Sequence, residues 1–276
     1  ISLGILNFQP AEFAKLALTC FLASYFTRRY DEVRGKKFSA AKPFIVMGVL
    51  GVFLLAQPDL GSTVVLFVIT FGMLFIVGAN FWQFILLIGT GILLFVWLVL
   101  SASYRLKRFT GFLEPFKDPY GTGFQLTNSL MAFGRGEISG EGLGNSIQKL
   151  DYLPEAHTDF IMAIIGEEFG FIGIFVVVIL LGLLIFRAMK IGRESLMLEQ
   201  RFRGFFALGI SFWIFFQGFV NLGMALGMLP TKGLTFPLVS YGGSSIIIMS
   251  ATVGILLRID HENRLQRGGQ ARLRDD

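Results

Sequence analysis

Three long stretches of this chain carry almost no charge, and this feature most constrains its fold. Asp59 is the only charged residue between Phe44 and Ser103, and none lies in 204–231 or 233–257. A helix needs about 20 apolar residues to cross about 30 Å of hydrocarbon, so these stretches predict membrane-spanning helices. Hydrophobic residues make up 54% and charged residues 16%, whereas about a quarter of the residues of soluble domains are charged.

The chain is therefore predicted to be an all-α polytopic membrane protein, with residues 1–276 forming a single membrane domain. Two proline-containing segments, 57–59 and 229–231, end helices, because proline interrupts the helical hydrogen-bond pattern. The apolar pattern predicts seven transmembrane helices, at about 10–29, 42–57, 61–78, 82–102, 160–187, 203–228 and 236–258.

The orientation follows from the basic residues. Most of the 24 lysines and arginines lie in the loop after the first helix, in the loop after the fifth and around the tail, 259–276. Alternation through seven spans puts these segments on one face, which the positive-inside rule assigns to the cytoplasm. The large loop 104–158, between the fourth and fifth helices, has equal numbers of acidic and basic residues and is predicted to be extracytoplasmic.

That loop ends with an aspartate at the mouth of the next apolar segment, in Leu153-Pro154-Glu155-Ala156-His157-Thr158-Asp159-Phe160. An ionisable group at such a position is costly, so Asp159 is a candidate functional residue. A simple helix cap is an equal alternative on position alone. The nearby Glu155 and His157, the proline and the large loop favour the functional interpretation.

Other charges are embedded near the same outer face. Glu12 and Lys15 are three residues apart on the first helix, so they share a face and can pair. That pair either only lowers the cost of burial or belongs to the site. Asp59 precedes an apolar run and fits a helix cap as well as a site residue. Glu167 and Glu168 are adjacent and cannot face the same way, so we expect one of them to pack against backbone or another helix.

The last outer loop contributes a cation and small polar residues. Lys232 follows Pro230, and it is either a solvated lysine or lipid-headgroup contact, or a cation of the site. The segment from Ser240 through Gly242 to Ser245 opens the final helix, where it either packs tightly or donates hydrogen bonds to a phosphate. A carboxylate, a Glu–Lys pair and a second lysine at the lipid–water boundary suit an anionic lipid-linked substrate, with a general base and charge stabilisation of the leaving group.

Five ordered motifs resemble the SEDS family (shape, elongation, division and sporulation), polytopic enzymes that polymerise peptidoglycan from lipid II. They are Asn7-Phe8-Gln9-Pro10-Ala11-Glu12-Phe13-Ala14-Lys15, Gln57-Pro58-Asp59-Leu60-Gly61, the segment 153–160, Gly166-Glu167-Glu168 and Pro237-Leu238-Val239-Ser240-Tyr241-Gly242-Gly243-Ser244-Ser245. The segments 131–137 and 228–233 are similar to the division branch of Gram-negative bacteria.

The resemblance implies roles for individual residues. Asp159 matches the essential aspartate of the family and is the expected general base, while Glu12 and Lys15 match a pair lying near it. Pro230 and Lys232 match an outer loop needed for activity. The expected substrate-binding residues are Glu12, Lys15, Asp59, Glu155, His157, Pro230, Lys232, Ser240 and Gly242.

The resemblance also implies a reaction and a cellular setting. A 4-hydroxyl of lipid II attacks the anomeric carbon of the growing glycan strand, a β-1,4 bond forms, and undecaprenyl pyrophosphate leaves. Expected partners are lipid II, the growing strand, a cognate class B penicillin-binding transpeptidase and other division proteins in the bacterial inner membrane at the septum, with a periplasmic catalytic face. Nucleic acid is not an expected partner. Family members have ten spans, so about three N-terminal helices are expected outside this sequence, and the fragment alone is expected to be inactive.

No cofactor is evident from the sequence. With two histidines in the chain, His157 and His261, a histidine-built metal site is not expected. A divalent cation, Mg²⁺ or Mn²⁺, bridging a carboxylate and the diphosphate is chemically reasonable without a dedicated cage. Two alternative functions stay open: a transporter that flips lipid II, and a division scaffold without catalysis.

Overall fold

The computed structural model describes residues 9–35, 41–57, 59–79, 81–101, 111–230 and 233–275. Within these ranges regular structure is helical, and strands do not occur. The α-helices are α1 (Pro10–Arg28), α2 (Tyr30–Gly35), α3 (Ala41–Ala56), α4 (Leu60–Val77), α5 (Phe81–Leu100), α6 (Phe124–Gly136), α7 (Ile161–Met197), α8 (Arg201–Ala225) and α9 (Gly243–Asp275).

Four helices in the described part of the chain are long and apolar enough to cross a membrane: α4, α7, α8 and the part of α9 from Gly243 to Gly269. Helix α3 and residues Ile85–Leu94 within α5 are shorter apolar helical segments. This composition and the all-helical structure are those of a polytopic membrane protein. The count of seven spans stays a prediction.

The observed helices differ from the predicted ones chiefly at the C-terminal end. Helix α7 continues to Met197, well beyond the predicted end at 187. Helix α9 begins at Gly243 instead of 236, because Leu238 adopts a left-handed conformation with φ of +64° and Pro237 precedes it. It then continues through 259–275, which we expected to be a tail outside the helix.

By its internal contacts the chain forms two compact units. The first comprises 1–87, 183–215 and 247–276, and in it α1 packs against α3 and α4. Its core contains Leu22, Phe26, Ile69 and the fully buried Trp213. Burying such side chains between helices removes apolar area from water or lipid contact and fills the interior closely.

Ion pairs and a hydrogen bond join the polar extension of α9 to the C-terminal part of α7 and to the start of α8 in this unit. Arg187 Nη2 lies 3.3 Å from Asp260 Oδ2, and Arg264 contacts the same carboxylate at 2.7 Å. Glu262 pairs with Arg203, and Asn263 Nδ2 donates to Ser195 Oγ at 2.9 Å. These partners explain why the predicted tail is a packed helix, since an amphipathic helix needs a surface to cover one of its faces.

The second unit, 88–182 and 216–246, contains much of the predicted extracytoplasmic loop. That segment is not irregular throughout: it includes α6, a 3₁₀ turn at Pro115–Lys117 and a π-helical turn at Gln148–Tyr152. Its apolar residues pack with the start of α7 in one cluster made of Ala132, Leu153, Ala156, Phe160, Met162, Ala163, Ile164, Ala225 and Phe236.

Helix α7 is interrupted at Gly170, where φ is +64° and ψ is −161°. The break leaves N–H groups that the helix itself does not bond, and the loop after α6 supplies the missing partners. Phe171 N donates to Glu137 O at 2.9 Å, and Ile172 N donates to Ile138 O at 3.2 Å. Because hydrocarbon offers backbone groups no hydrogen-bond partner, this docked loop lets an apolar helix contain a break.

Gly170→Ala should therefore destabilise the protein. Its backbone conformation is one that only glycine adopts easily, and a Cβ would lie 2.4 Å from Ile138 O. We expect a loss of about 2–3 kcal/mol in unfolding free energy, measured as a fall in the thermal midpoint of the full-length protein in detergent. Gly182→Ala on the same helix is the matched control, because nothing lies within 4 Å of its added Cβ. Equal midpoints for the two variants would contradict this account.

Candidate functional site

A turn that three apolar side chains anchor holds Asp159 just before α7. Leu153, Ala156 and Phe160 are buried, whereas Asp159 is half-buried. The carbonyl oxygen of Glu155, a residue with φ of +57°, accepts from the backbone N–H groups of 158, 159 and 160 at 3.2, 3.1 and 3.2 Å. The main chain at Asp159 is thus fixed by bonds that do not use its carboxylate.

Asn221 connects this turn to the segment after α8. It is buried in α8, and its Nδ2 donates to Asp159 O at 2.8 Å and to Leu234 O at 2.6 Å. One amide therefore binds the backbone on both sides of the site. Asn221 was not among the predicted site residues, although it is one of two amides, with Gln217, in the uncharged stretch 204–231.

Gln217 has a related role one helical turn earlier. Its Nε2 donates to Thr235 O at 2.9 Å and to Thr235 Oγ1 at 3.2 Å. Thr235 Oγ1 lies 3.0 Å from Ser245 Oγ, which belongs to the first turn of α9. Both amides of α8 thus hold the segment that leads from the last outer loop into α9.

The predicted residues of that segment do lie beside the Asp159 turn. Ser240 Oγ donates to Thr158 O at 2.6 Å and accepts from Phe236 N at 2.6 Å. Tyr241 N donates to His157 O at 2.8 Å. Ser240 is buried, and its hydroxyl proton is already donated to Thr158 O, so a hydrogen bond from this hydroxyl to a phosphate would have to replace that bond. Gly242 is half-buried and directly precedes α9, and its carbonyl oxygen accepts from Ile246 N at 2.9 Å.

Space beside the carboxylate is kept by a glycine. A Cβ at Gly233 would lie 3.3 Å from Asp159 Oδ2, so the backbone of the last outer loop comes close to this oxygen. Pro230, before this glycine, is half-buried, and Lys232 lies outside the described residues. Glu155 and His157 are exposed, and Glu155 Oε2 accepts from Thr158 Oγ1 at 2.6 Å.

Three other predicted site residues belong to the first compact unit. The expected pairing of Glu12 and Lys15 is confirmed: Lys15 Nζ lies 2.7 Å from Glu12 Oε1, with side-chain exposures of 0% and 4%. Lys15 Nζ also lies 5.5 Å from the centre of a Trp213 ring. Burial that complete requires each charge to be neutralised, and the pair supplies this.

Asp59 caps helix α4, which was one of the two interpretations of its position. Its Oδ1 accepts from Ser62 N at 2.9 Å. A cap of this kind satisfies an N–H that lacks an intrahelical partner, and is worth about 1 kcal/mol. Its expected contact with substrate stays a prediction.

Glu167 and Glu168 hold the loop against α7. The carboxylate of Glu167 accepts from Ser146 Oγ at 2.5 Å, Ile147 N at 3.1 Å and Gln148 N at 3.2 Å. Lys149 Nζ lies 2.6 Å from Glu168 Oε1. The expectation that one of the two acids packs against backbone is confirmed for Glu167, but the premise that they cannot face the same way is wrong, because both carboxylates bond the segment 146–149. Both acids fix the chain that leads to Asp159.

The site can offer a carboxylate as a proton acceptor. Among the residues that the structure describes, no group of three or more His, Cys, Asp or Glu side chains is placed to hold a metal ion. A divalent cation would thus need ligands from a substrate as well as Asp159, and it stays a prediction.

Comparisons with known proteins agree on one family. The family model of FtsW, RodA and SpoVE, described as a cell cycle protein, matches residues 1–265. A probable peptidoglycan glycosyltransferase FtsW of Haemophilus influenzae is 88% identical over 276 residues, which are 100% of this chain and 70% of that protein. A protein of the same description from Pasteurella multocida is 83% identical over 276 residues, again 100% of this chain and 70% of the relative.

A solved structure shares the fold. Its description is "Structural coordination of polymerization and crosslinking by a peptidoglycan synthase complex". It matches this chain with a TM-score of 0.75 and 31% sequence identity. The match covers 95% of this chain and 73% of that one.

Asn221→Leu should loosen the Asp159 turn, because two backbone carbonyls lose their donor. Leaving a buried polar group without a partner costs about 1–3 kcal/mol. We expect amide hydrogen exchange in 155–163 and 233–240 of the full-length protein to accelerate about tenfold or more, and Asn221→Asp, which lacks the NH₂ donors, to behave similarly. Phe219→Leu on the exposed side of α8 is the control. Unchanged exchange in both Asn221 variants would contradict the role given to this amide.

Proposed function

The chain belongs to the FtsW, RodA and SpoVE family of cell cycle proteins, and from that membership we propose that it is a peptidoglycan glycosyltransferase. It polymerises lipid II into β-1,4 glycan strands during septal wall synthesis and releases undecaprenyl pyrophosphate. Its relatives of 88% and 83% identity, both described as probable peptidoglycan glycosyltransferases FtsW, support this activity over the full length of the chain.

The observation that carries the mechanism is the half-buried carboxylate on a fixed turn. Glu155 O and Asn221 Nδ2 bond the backbone of Asp159, so the turn that carries the carboxylate is fixed in place. A general base must be held within hydrogen-bond reach of the hydroxyl, and it must be ionised before it accepts the proton. Asp159 is the residue that we assign to this role.

The reaction proceeds as one displacement. The 4-hydroxyl oxygen of the incoming lipid II sugar forms a bond to the anomeric carbon of the strand, and its proton passes to Asp159. The bond from that carbon to the diphosphate breaks, and the electron pair leaves with undecaprenyl pyrophosphate. Charge therefore builds up on the diphosphate oxygens, where a cation lowers the barrier.

Lys232 is the cation that we assign to the departing diphosphate. It directly precedes Gly233, which lies against the Asp159 carboxylate. Lys15 is fully buried and paired with Glu12, so its charge is already offset within the protein. We assign the Glu12–Lys15 pair a primary role in the packing of α1 and a secondary role in substrate binding.

The proposal also includes the membrane orientation and the partner of the chain. The chain is a multi-pass bacterial membrane protein, and its basic residues favour a cytoplasmic position for the ends of α1 and α7. The Asp159 turn then faces the periplasm, where lipid II is polymerised. A class B penicillin-binding transpeptidase is the proposed partner, since the solved relative is a synthase complex that coordinates polymerization and crosslinking.

Asp159→Asn should abolish polymerisation without unfolding the protein. The amide keeps the shape of the side chain but cannot accept the hydroxyl proton, and loss of general base catalysis costs about 10²–10⁴ in rate. The measurement is glycan strand formation from lipid II by the full-length protein with its transpeptidase. Glu114→Gln is the matched control: it removes a carboxylate of 63% exposure, 2.8 Å from Lys117, in the same loop.

Three outcomes would overturn the proposal. Near-normal polymerisation by Asp159→Asn would exclude Asp159 as the general base. A wild-type protein that translocates lipid II in vesicles but does not polymerise it would favour a transporter. An Asp159→Asn protein that polymerises nothing yet still supports septal wall synthesis in cells would favour a scaffold.

A further inference from the structure

A cavity of about 610 Å³ lies at the end of α1 in the first compact unit, and its lining contains none of the predicted site residues. Helices α1, α2 and α3 contribute its walls. The residues lining it are Phe21, Tyr25, Arg28, Arg29, Glu32, Lys42, Ile45 and Val46.

The charges around this cavity are predominantly positive. Three cations face one carboxylate, and that carboxylate is used by Arg29, whose Nη1 lies 2.7 Å from Glu32 Oε2. Arg28 donates its Nε–H to Ser24 O at 3.3 Å, which engages one of the five N–H donors of its guanidinium. Within the described part of the chain, Lys42 has no acidic partner at ion-pair distance. An uncompensated cationic pair, Arg28 and Lys42, therefore remains.

The rest of the lining is apolar. Phe21 and Tyr25 come from α1, and Ile45 and Val46 come from α3 one turn beyond Lys42. Ile45 is 63% exposed, although α3 is an apolar helix with no charge after Lys42. A ligand that fits both parts carries an anionic group at one end and hydrocarbon at the other.

We propose that this cavity binds one anionic phospholipid, with its phosphate between Arg28 and Lys42 and its acyl chains along Ile45 and Val46. Basic side chains at helix ends commonly reach toward the membrane surface, and this does not require a cavity. Here they converge on a concave site with an apolar wall, which is the arrangement of headgroup pockets between transmembrane helices. The basic-residue distribution assigns this end of α1 to the cytoplasmic leaflet, which is rich in anionic lipids.

The test is native mass spectrometry of the full-length protein in detergent with added phosphatidylglycerol or phosphatidylcholine. We expect one phosphatidylglycerol to be retained in preference to phosphatidylcholine. Arg28→Gln with Lys42→Gln should reduce its affinity about tenfold or more, because each basic residue near an anionic headgroup contributes severalfold. Lys190→Gln with Arg193→Gln, which removes the same charge from exposed positions on α7, is the matched control and should change affinity less than twofold.

A second variant separates the apolar contact from the charge. Val46→Trp should fill part of the cavity and lower phosphatidylglycerol retention while leaving every cation in place. Displacement of the lipid by millimolar inorganic phosphate would show a free-anion site and overturn the proposal. Equal retention of both lipids, or equal losses in the pocket and control double variants, would also overturn it.

Discussion

The scarcity of hydrogen-bond partners in hydrocarbon is the constraint on which this structure depends. The break of α7 at Gly170 and the turn that ends at Phe160 both leave backbone N–H or C=O groups without the hydrogen bonds of a regular helix. Buried polar groups from elsewhere satisfy them: carbonyls of the loop after α6 bond the N–H groups beyond Gly170, and Asn221 bonds Asp159 O. The loop is thus part of the packed structure of its unit.

This arrangement has a consequence for the carboxylate. Asn221, Ser240 and the carbonyl of Glu155 hold the turn through main-chain atoms, so the position of Asp159 within its unit is fixed. A site works best when surrounding residues fix the reacting group in a rigid position. Glu167 adds to this fixation by accepting from the backbone of residues 147 and 148.

Features that depend on local sequence could be predicted, and those that depend on distant contacts could not. The apolar helices, the Glu12–Lys15 pair and the capping alternative for Asp59 follow from composition or from spacings of three residues. The bond from Asn221 joins residues 62 apart, and nothing in one sequence pairs them. Gly170 is one of 33 glycines, so its break could not be singled out.

The central claim, that Asp159 accepts the proton of the attacking hydroxyl, is tested most directly by the pH dependence of polymerisation. A base must be ionised, so kcat/KM of the full-length protein should fall as pH decreases through the pKa of one group. In Asp159→Asn the residual rate should lose this acidic limb and become independent of pH over the same range. An acidic limb of the same position and steepness in the variant would contradict the account.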